Sequence, residues 1–339
     1  MTHAECEETA VKYRKLGNTD LNISPIIMGA WQYGCERYWG DVPTKDACDV
    51  IAKAVDNGIN TIDTAIGYDG SEEIVGKAIK NIRDKVIVIS KGGADPRKME
   101  RNVDISLSRM GLDVIDLYLV HYADTAIPIA ETIGGMVRLK QKGKIRHLGV
   151  SNFSREQVLQ ALAVTDIACC EQAYNLLWRE IEDRGTLKAC IDHNVGILAY
   201  SALGQGLFSG KIRSEADIPK REGDIRHLTL FFQGEAFKAG LSMVKNLDAL
   251  AAKYKRTQAQ IAINWVVNQK GITSAIVGSK TVKQLDDNLG ALGWEMDKKD
   301  YELLSTEGSK SSKLFDYDYS MFGMKYDGIK VDEMIDSSL

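Results

Sequence analysis

Four side chains that could carry acid–base chemistry stand in or just after three short apolar runs. Asp63 lies in the first run, Tyr68 follows it by five residues, Lys91 ends the second run and His121 ends the third. A phenol titrates near pH 10, and a nearby ammonium favours its phenolate, while a carboxylate keeps that ammonium protonated and in place. With a histidine as an added hydrogen-bond donor, this set suits proton transfer to an oxygen that gains negative charge. Reduction of a carbonyl, or its reverse, is such a reaction if a hydride carrier lies alongside.

Each of these residues also has an ordinary structural explanation. Tyr68 could be a packed loop aromatic, Lys91 a solvated charge, and Asp63 or His121 a buried polar group with a partner. Their joint placement favours a site, because the carboxyl ends of parallel barrel strands meet at one rim. Schiff-base chemistry at Lys91 requires a neutral amine, which Asp63 opposes. His121 lacks the HxH spacing of a metal hydrolase, so we expect no metal site.

A repeated pattern of helix, turn and strand predicts the elements that position these side chains. Amphipathic helical stretches end at Gly or Asn and lead into β-branched runs, as expected for left-handed helix caps. Eight such runs favour a closed (β/α)₈ TIM barrel, with an open doubly wound sheet as the alternative. The predicted strands lie near residues 25–29, 59–65, 86–91, 116–121, 145–151, 166–172, 196–201 and 273–278.

Three segments depart from the repeat, within what we interpret as one domain over residues 1–339. Residues 1–10 are polar and expected to be loose, and residues 11–24 predict a β-hairpin. About fifty residues are inserted after the seventh strand, with a polar loop over 211–228 and a helix over 235–253, as is typical of segments that fold over a ligand. The aromatic-rich C-terminal tail, residues 307–339, is expected to pack near the mouth of the barrel.

Composition excludes several classes of function. The chain has 339 residues, with 43 Lys and Arg against 47 Asp and Glu, so its net charge of −4 offers no general attraction for nucleic acid or acidic membranes. No apolar stretch is long enough to span a bilayer, and the N-terminus lacks the features of a signal peptide. The 6 cysteines show no metal-like spacing, which indicates reduced thiols in a cytoplasmic protein. The oligomeric state is not determined by these features.

The complete set of motifs resembles the aldo-keto reductases over about residues 13–292. Asp63-Thr-Ala with Tyr68, the Lys91 strand and the Asp116–His121 strand are similar to that family's active-site segments. Further similar segments follow in the family's order, and so ordered a set is more specific than any single motif. They are Gly149-Val-Ser-Asn-Phe153, Gln172 with Tyr174-Asn-Leu-Leu177, Ala199-Tyr-Ser with Gly206–Lys211, and Gly278 with Gln284 and Asn288.

This resemblance implies an enzyme that binds a nicotinamide dinucleotide across the rim of the barrel, without a Rossmann domain, and transfers hydride. By analogy Asp63, Tyr68, Lys91 and His121 form a catalytic tetrad with Tyr68 as the acid/base. Taken alone, several of the implied cofactor contacts would be turn, cap or helix-surface residues. The implied contacts are Ser151, Asn152 and Gln172 at the carboxamide, Tyr200 on the nicotinamide, Ser201, Leu203, Gly204, Gly206 and Lys211 at the pyrophosphate, and Gly278, Ser279, Lys280, Gln284, Asp287 and Asn288 around the adenosine.

Lys280 stands where many family members have an arginine that binds a 2′-phosphate, so NADP(H) is favoured and NAD(H) is possible. Aromatic residues flanked by polar groups suggest a small carbonyl or sugar substrate, with Trp31, Tyr33, Trp39 and Tyr122 as candidates for the substrate wall. Two other functions stay open. One is a sugar dehydrogenase that acts mainly in the oxidising direction with tightly held NAD, and the other is a dinucleotide-binding regulatory subunit without significant turnover.

Overall fold

The computed structural model describes residues 11–338, and the expectation of a loose segment at residues 1–10 lies outside that range. A two-stranded antiparallel hairpin, β1 (Arg14–Lys15) and β2 (Asn22–Ile23), precedes the main sheet. The eight parallel strands that follow close into a barrel in the order β10-β3-β4-β5-β6-β7-β8-β9, which confirms the predicted fold and excludes the open sheet. They are β3 (Ile26–Gly29), β4 (Thr61–Asp63), β5 (Ile87–Gly92), β6 (Ile115–Val120), β7 (Ile145–Ser151), β8 (Cys169–Ala173), β9 (Gly196–Tyr200) and β10 (Ile272–Gly278).

Helices surround the barrel, and the longer amphipathic ones bury their apolar faces. Helix α2, for example, buries Ala47, Val50, Ile51 and Ala54, which recur at helical spacing. None of the helices within residues 11–338 combines the length and apolar character needed to cross a membrane. The helices are α1 (Glu36–Trp39), α2 (Thr44–Asp56), α3 (Ser71–Ile79), α4 (Met99–Met110), α5 (Ile129–Gln141), α6 (Arg155–Leu162), α7 (Glu180–Asp183), α8 (Thr186–Asp192), α9 (Gly234–Tyr254), α10 (Gln258–Val267), α11 (Val282–Leu289), α12 (Lys298–Ser312) and α13 (Val331–Ser338).

The turns from helix into strand have the left-handed backbone that their residue types predict. Asn194 adopts a φ of 52° after α8, a conformation that asparagine tolerates better than most residues. Glycines with φ between 65° and 93° occupy the equivalent positions before four other strands. Each of these turns leads from a helix into a strand, and because all eight strands pair in parallel, their carboxyl ends lie on one rim. The four glycines are Gly58, Gly111, Gly143 and Gly271.

The hairpin closes the opposite end of the barrel. Leu16 and Ile23 are fully buried and belong to one cluster with Ile27, Leu117 and Leu198 from the barrel strands. A side chain added at Gly17 would meet the backbone oxygens of residues 168 and 194, which lie where β8 and β9 begin. The hairpin therefore fills the end at which the strands start, and the carboxyl-end rim remains for chemistry.

The insertion and the tail pack on each other through a cluster of aromatic rings. Trp178 is fully buried, and its ring centroid lies 6.0 Å from that of Phe231 in the insertion. It lies 5.1 Å from Phe315 and 5.0 Å from Tyr317 in the tail. Farther along the tail, a carboxylate oxygen of Asp332 accepts a 2.9 Å hydrogen bond from the backbone of residue 95. The tail thus crosses from this aromatic cluster to the region beside β5.

We predict that Trp178→Ala destabilises the fold by about 3–5 kcal/mol, because it removes a buried ring that three other aromatic rings contact. Urea unfolding followed by circular dichroism measures this change. Leu314→Ala, at a side chain that is 49% exposed, is the control and should change stability by less than about 0.5 kcal/mol. Equal losses in the two variants would contradict a structural role for the aromatic cluster.

Candidate active site

Lys91 lies near the end of β5 with its ammonium group inside the barrel. Its side chain is 0% exposed, and Nζ donates to Asp63 Oδ1 at 2.7 Å and to Asp63 Oδ2 at 2.6 Å. A third contact, at 3.0 Å, goes to the carbonyl oxygen of Thr64. Asp63 ends the neighbouring strand β4, so this pair follows directly from the strand order. A buried charge requires such pairing, since desolvation would otherwise be very costly.

Tyr68 and His121 stand beside this pair at the rim. The ammonium nitrogen of Lys91 lies 5.2 Å from the centroid of the Tyr68 ring. The rings of Tyr68 and His121 meet edge to face with centroids 5.7 Å apart, and His121 directly follows β6. The four residues singled out from sequence spacing are therefore close neighbours in the fold.

The electrostatics of the group differ in part from the sequence expectation. Burial by itself lowers the pKa of Lys91, but the acids beside the ammonium, Asp63 foremost, hold the pKa above its ordinary value. Burial raises the pKa of Tyr68, and the opposing effect of Lys91 is smaller. The ammonium thus acts on the phenol with the expected sign, yet the net shift is upward. At neutral pH Tyr68 is a phenol with a proton to give, and Lys91 is charged.

Burial and the charge of Lys91 together lower the pKa of His121 to about 3. Its imidazole is therefore neutral over the whole physiological range. One ring nitrogen of a neutral imidazole donates a hydrogen bond and the other accepts. His121 can therefore polarise an oxygen at the rim without adding a positive charge beside Lys91.

A second group of polar side chains occupies the rim at β7, β8 and β9. Asn152, in a left-handed conformation with φ 57°, donates to the carbonyl oxygen of His121 at 3.0 Å and to Ser151 Oγ at 3.0 Å. Its amide oxygen accepts from the Tyr200 hydroxyl at 2.7 Å. Gln172 donates to the carbonyl of Phe153 at 2.7 Å. These amides and hydroxyls offer the donors and acceptors that a carboxamide requires, beside an aromatic ring, so they fit a nicotinamide.

The loop after β9 has the unusual backbone expected beside a pyrophosphate. Ser201 has φ 61° and Gln205 has φ 52°, and Gly204 and Gly206 are also left-handed. Successive residues of this kind can direct N–H groups toward an anion. Leu203 is partly buried against the core cluster. Lys211, at the far end of the loop, is exposed.

The residues implied for the adenosine end separate into two groups. Gln284 accepts from the Lys280 backbone N–H at 2.7 Å, and Asn288 donates to Ser279 Oγ at 3.0 Å, so these two side chains shape the turn that follows Gly278. Asp287 instead accepts from Thr257 Oγ1 at 3.0 Å and from Gln260 at 3.1 Å, at the start of α10. Asp287 therefore serves a helix contact away from the turn.

A set of charged residues that sequence analysis did not single out surrounds Lys280. Arg221, from the insertion, donates to the carbonyl of Tyr38 at 2.8 Å and to Asp224 at 2.8 Å. Arg226 pairs with Asp224 at 2.9 Å, and its guanidinium lies 5.9 Å from the Trp39 ring. Lys280 donates to the carbonyl oxygen of Trp39. Burial and the charges of Arg226 and Arg221 lower the pKa of Lys280. Arg221, Arg226 and Lys280 thus place three positive charges around the single carboxylate of Asp224, an arrangement that can bind a phosphate group.

The four aromatic residues predicted for the substrate wall do not all lie at the mouth of the barrel. Trp31 stacks on Tyr68 with ring centroids 5.6 Å apart, and Tyr122 lies 5.2 Å from His121, so both line the mouth. Trp39 contacts Trp31 edge-on at 5.3 Å but extends toward Lys280. Tyr33 is 0% exposed and donates from its hydroxyl to the carbonyl of Ser279 at 2.6 Å, so it lies beneath the loop and away from the mouth.

The tail supplies mouth residues that the sequence did not identify individually. Phe322 packs edge-on against Trp31 with centroids 5.7 Å apart. Tyr326 lies 6.3 Å from Tyr122 and donates to Glu180 Oε2 at 3.1 Å. Burial raises the pKa of Glu180 to about 7. The aromatic content of the tail was the available signal, but the segment's path over the rim depends on tertiary packing.

Sequence analysis also did not identify Glu171 on β8. Its carboxyl oxygen lies 3.4 Å from the ammonium of Lys91, and the residue is only 3% exposed. An acid in an apolar run was the signal that drew attention to Asp63, and the same signal was present in the run over 166–172. Within residues 11–338 no group of three or more His, Cys, Asp or Glu side chains is arranged to hold a metal ion.

We predict that the His121 imidazole stays neutral down to about pH 4, because burial and Lys91 disfavour its protonated form. Proton NMR of the ring signals between pH 4 and 8, assigned by comparison with His121→Asn, measures this. The exposed His193 provides a reference signal in the same spectra. A His121 midpoint near its ordinary value of about 6.5 would contradict the burial of this ring.

Comparison with known proteins agrees with this geometry. The model of the Aldo/keto reductase family matches residues 25–306. The chain is 36% identical over 313 residues to aldo-keto reductase YhdN of Bacillus subtilis, covering 87% of this chain and 93% of that protein. It is 31% identical over 317 residues to the NADH-specific methylglyoxal reductase of Escherichia coli, covering 85% and 96%.

A solved structure is similar over nearly its whole length. The glycerol dehydrogenase AKR11B4 from Gluconobacter oxydans superposes with a TM-score of 0.80 at 30% identity, covering 88% of this chain and 96% of that one. The family model, the relatives and the barrel therefore agree from the first barrel strand to α12. This chain belongs to the aldo-keto reductase family of carbonyl and alcohol oxidoreductases.

Proposed function

We propose that this protein is an NAD(P)H-dependent reductase of a small carbonyl substrate, with Tyr68 as general acid. The observation that carries the proposal is the buried ammonium of Lys91, bound to Asp63 and 5.2 Å from the Tyr68 ring. A phenol beside a fixed ammonium can release its proton to an oxygen that becomes an alkoxide, since the phenolate left behind is stabilised. The nicotinamide, when bound, supplies the hydride.

Each member of the tetrad then has a distinct task. Tyr68 holds the proton that is transferred, and Lys91 stabilises the phenolate that remains. Asp63 fixes the ammonium with two hydrogen bonds of 2.6 and 2.7 Å, so little reorganisation accompanies the proton transfer. His121, neutral at the working pH, donates a hydrogen bond to the carbonyl oxygen and orients it toward Tyr68.

We infer that the cofactor lies with its nicotinamide at Ser151, Asn152, Gln172 and Tyr200 and extends toward Lys280. The cationic cluster of Arg221, Arg226 and Lys280 supports NADP(H), because a 2′-phosphate would compensate the mutual repulsion of these charges. The E. coli relative supports NAD(H) instead, because its name describes an NADH-specific enzyme. The charges of this chain's own residues favour NADP(H), and NAD(H) is the alternative.

The mouth of the barrel and two relatives support the proposed class of substrate. Trp31, Tyr122 and Phe322 offer aromatic faces, while Glu180 and the Tyr326 hydroxyl offer hydrogen bonds, a combination suited to a small polyhydroxylated or dicarbonyl molecule. Two relatives are named for glycerol and for methylglyoxal. A second candidate is therefore oxidation of a polyol or sugar, with tightly held NAD in place of exchangeable NADP(H).

A panel of small aldehydes, ketones, sugars and polyols, assayed with NADPH and NADH and with NADP and NAD in reverse, distinguishes these functions. Reduction of carbonyls with the highest kcat/KM for NADPH is the expected result. Faster oxidation of polyols, with NAD released on denaturation of the purified protein, would replace the first candidate by the second. Dinucleotide binding without turnover on any substrate would instead indicate a regulatory subunit.

We predict that Tyr68→Phe lowers kcat by about 10²- to 10⁴-fold, because the variant keeps the ring and loses the proton. Cofactor binding, followed by quenching of tryptophan fluorescence, should change by less than about threefold, since the phenol oxygen is not needed to hold the dinucleotide. Tyr301→Phe removes a hydroxyl from a ring that stacks on Trp265 and is the control expected to retain activity. Unchanged turnover in Tyr68→Phe would end the proposal.

We predict that Lys280→Met weakens NADPH binding by about 10- to 100-fold, because a charge-assisted hydrogen bond to phosphate contributes about 1.5–3 kcal/mol. Binding of NADH, which lacks the 2′-phosphate, should change by less than about threefold. Lys283→Met, on the exposed face of α11, is the matched control and should leave both affinities unchanged. Equal losses for the two cofactors in Lys280→Met would argue against phosphate recognition by Lys280.

A further inference from the structure

The ammonium of Lys91 is shared by two buried carboxyl groups that come from different sides of the barrel. Asp63 ends β4, next to the strand of Lys91, and binds Nζ at 2.6 Å. Glu171 lies on β8, three strands away from β5, and its Oε1 reaches across the barrel interior to within 3.4 Å of Nζ. The two acids are 4% and 3% exposed, so solvent screens neither of them.

One cation cannot balance two ionised acids in this position. A net negative charge in a low-dielectric interior is very costly, and groups so placed retain a proton instead. Burial first, and then the charge of Asp63, raise the pKa of Glu171 well above its ordinary value. Two carboxyl groups that share a site keep one proton between them, as in a carboxylate dyad.

The hydrogen bonds indicate which acid retains the proton. Asp63 uses both oxygens to bind Lys91, at 2.6 and 2.7 Å, as an ionised carboxylate does. Glu171 makes the longer contact with Nζ, at 3.4 Å, and its carboxyl group also forms a hydrogen bond with that of Asp63, which requires a proton on one of the two acids. Asp63 already accepts from the ammonium through both oxygens, so Asp63 is the acceptor in this bond and Glu171 is the donor. Glu171 is therefore the member that stays neutral.

We propose that Glu171 is a positioning residue of the tetrad, held as a neutral acid, which fixes the Lys91 ammonium beneath Tyr68 and keeps the buried group free of excess negative charge. An ionised Glu171 would add a second negative charge below the phenol and oppose formation of the phenolate. A neutral Glu171 fills the far side of Lys91 without that penalty. The catalytic consequence rests on the proposed function, whereas the protonation state does not.

The protonation state is tested on the protein without cofactor or substrate. Difference infrared spectra of the unmodified protein and Glu171→Gln at pH 7 should show one protonated-carboxyl C=O band that the variant lacks. Other protonated acids cancel in the difference. Loss of a carboxylate band instead would show that Glu171 is ionised and would overturn the proposal, whether or not the protein turns over any substrate.

The positioning role is tested with two variants of similar volume. Glu171→Gln resembles the neutral acid and should keep kcat within about threefold, with the alkaline limb of its pH profile displaced by less than about half a unit. Glu171→Leu removes the polar contact with Lys91 and should lower kcat by about 10- to 100-fold with KM little changed. Circular dichroism establishes that each variant is folded.

Three outcomes of the kinetic test decide against the proposal. A displacement of the alkaline limb of the pH profile by one unit or more in Glu171→Gln would mean that an ionised carboxylate had been removed. Equal kcat for the Leu and Gln variants would show that Lys91 needs no polar partner on this side. Glu72→Leu, at another fully buried acid that pairs with Ser90 at 2.7 Å, is the control for Glu171→Leu, and an equal loss of kcat there would reduce the result to general loss of a buried acid.

Discussion

The buried ammonium of Lys91 is the constraint on which the rest of this site depends. Removing a lysine from water is costly, and here two acids and a backbone carbonyl within 3.4 Å of Nζ offset the desolvation free energy. The same surroundings hold the pKa of Lys91 high, which disfavours the neutral amine that Schiff-base chemistry needs. The arrangement keeps a fixed positive charge below Tyr68, where it can stabilise a phenolate.

The acid–base residues and the implied cofactor residues form two halves of one rim. Asp63, Lys91 and His121 belong to β4, β5 and β6 or their ends, whereas Asn152 and Tyr200 follow or end β7 and β9. The hydrogen bond from Asn152 to the carbonyl of His121 joins the halves. Adjacent strands in a closed barrel bring these groups together whatever their separation along the chain, which is why the fold supports such a site.

Segments outside the repeating units cover this rim. The insertion binds the first rim loop through Arg221, and the tail places Phe322 and Tyr326 over the aromatic mouth. Glu180, whose pKa burial raises to about 7, accepts a hydrogen bond from the Tyr326 hydroxyl at this boundary. The repeating barrel therefore supplies the candidate acid–base residues, while irregular segments define the shape and polarity of the space around them, as is common for enzymes of this architecture.

The amino-acid sequence by itself determined the barrel and predicted the four candidate acid–base residues that lie together at its rim, because strands and their ends follow from local periodicity. Helix caps at Gly58 and Asn194 and apolar runs of strand length are readable one segment at a time, and an acid or a base at the end of such a run marks the rim. Glu171 carried the same local signal as Asp63, but only the closed barrel brings it from β8 to within 3.4 Å of Lys91. Tyr33 is the opposite case: its position among aromatic residues predicted a place at the mouth, but in the fold its side chain is buried in the core. The net upward pKa shift of Tyr68, the cationic cluster at Lys280 and the path of the tail likewise depend on desolvation and contacts between distant segments, which no local pattern encodes.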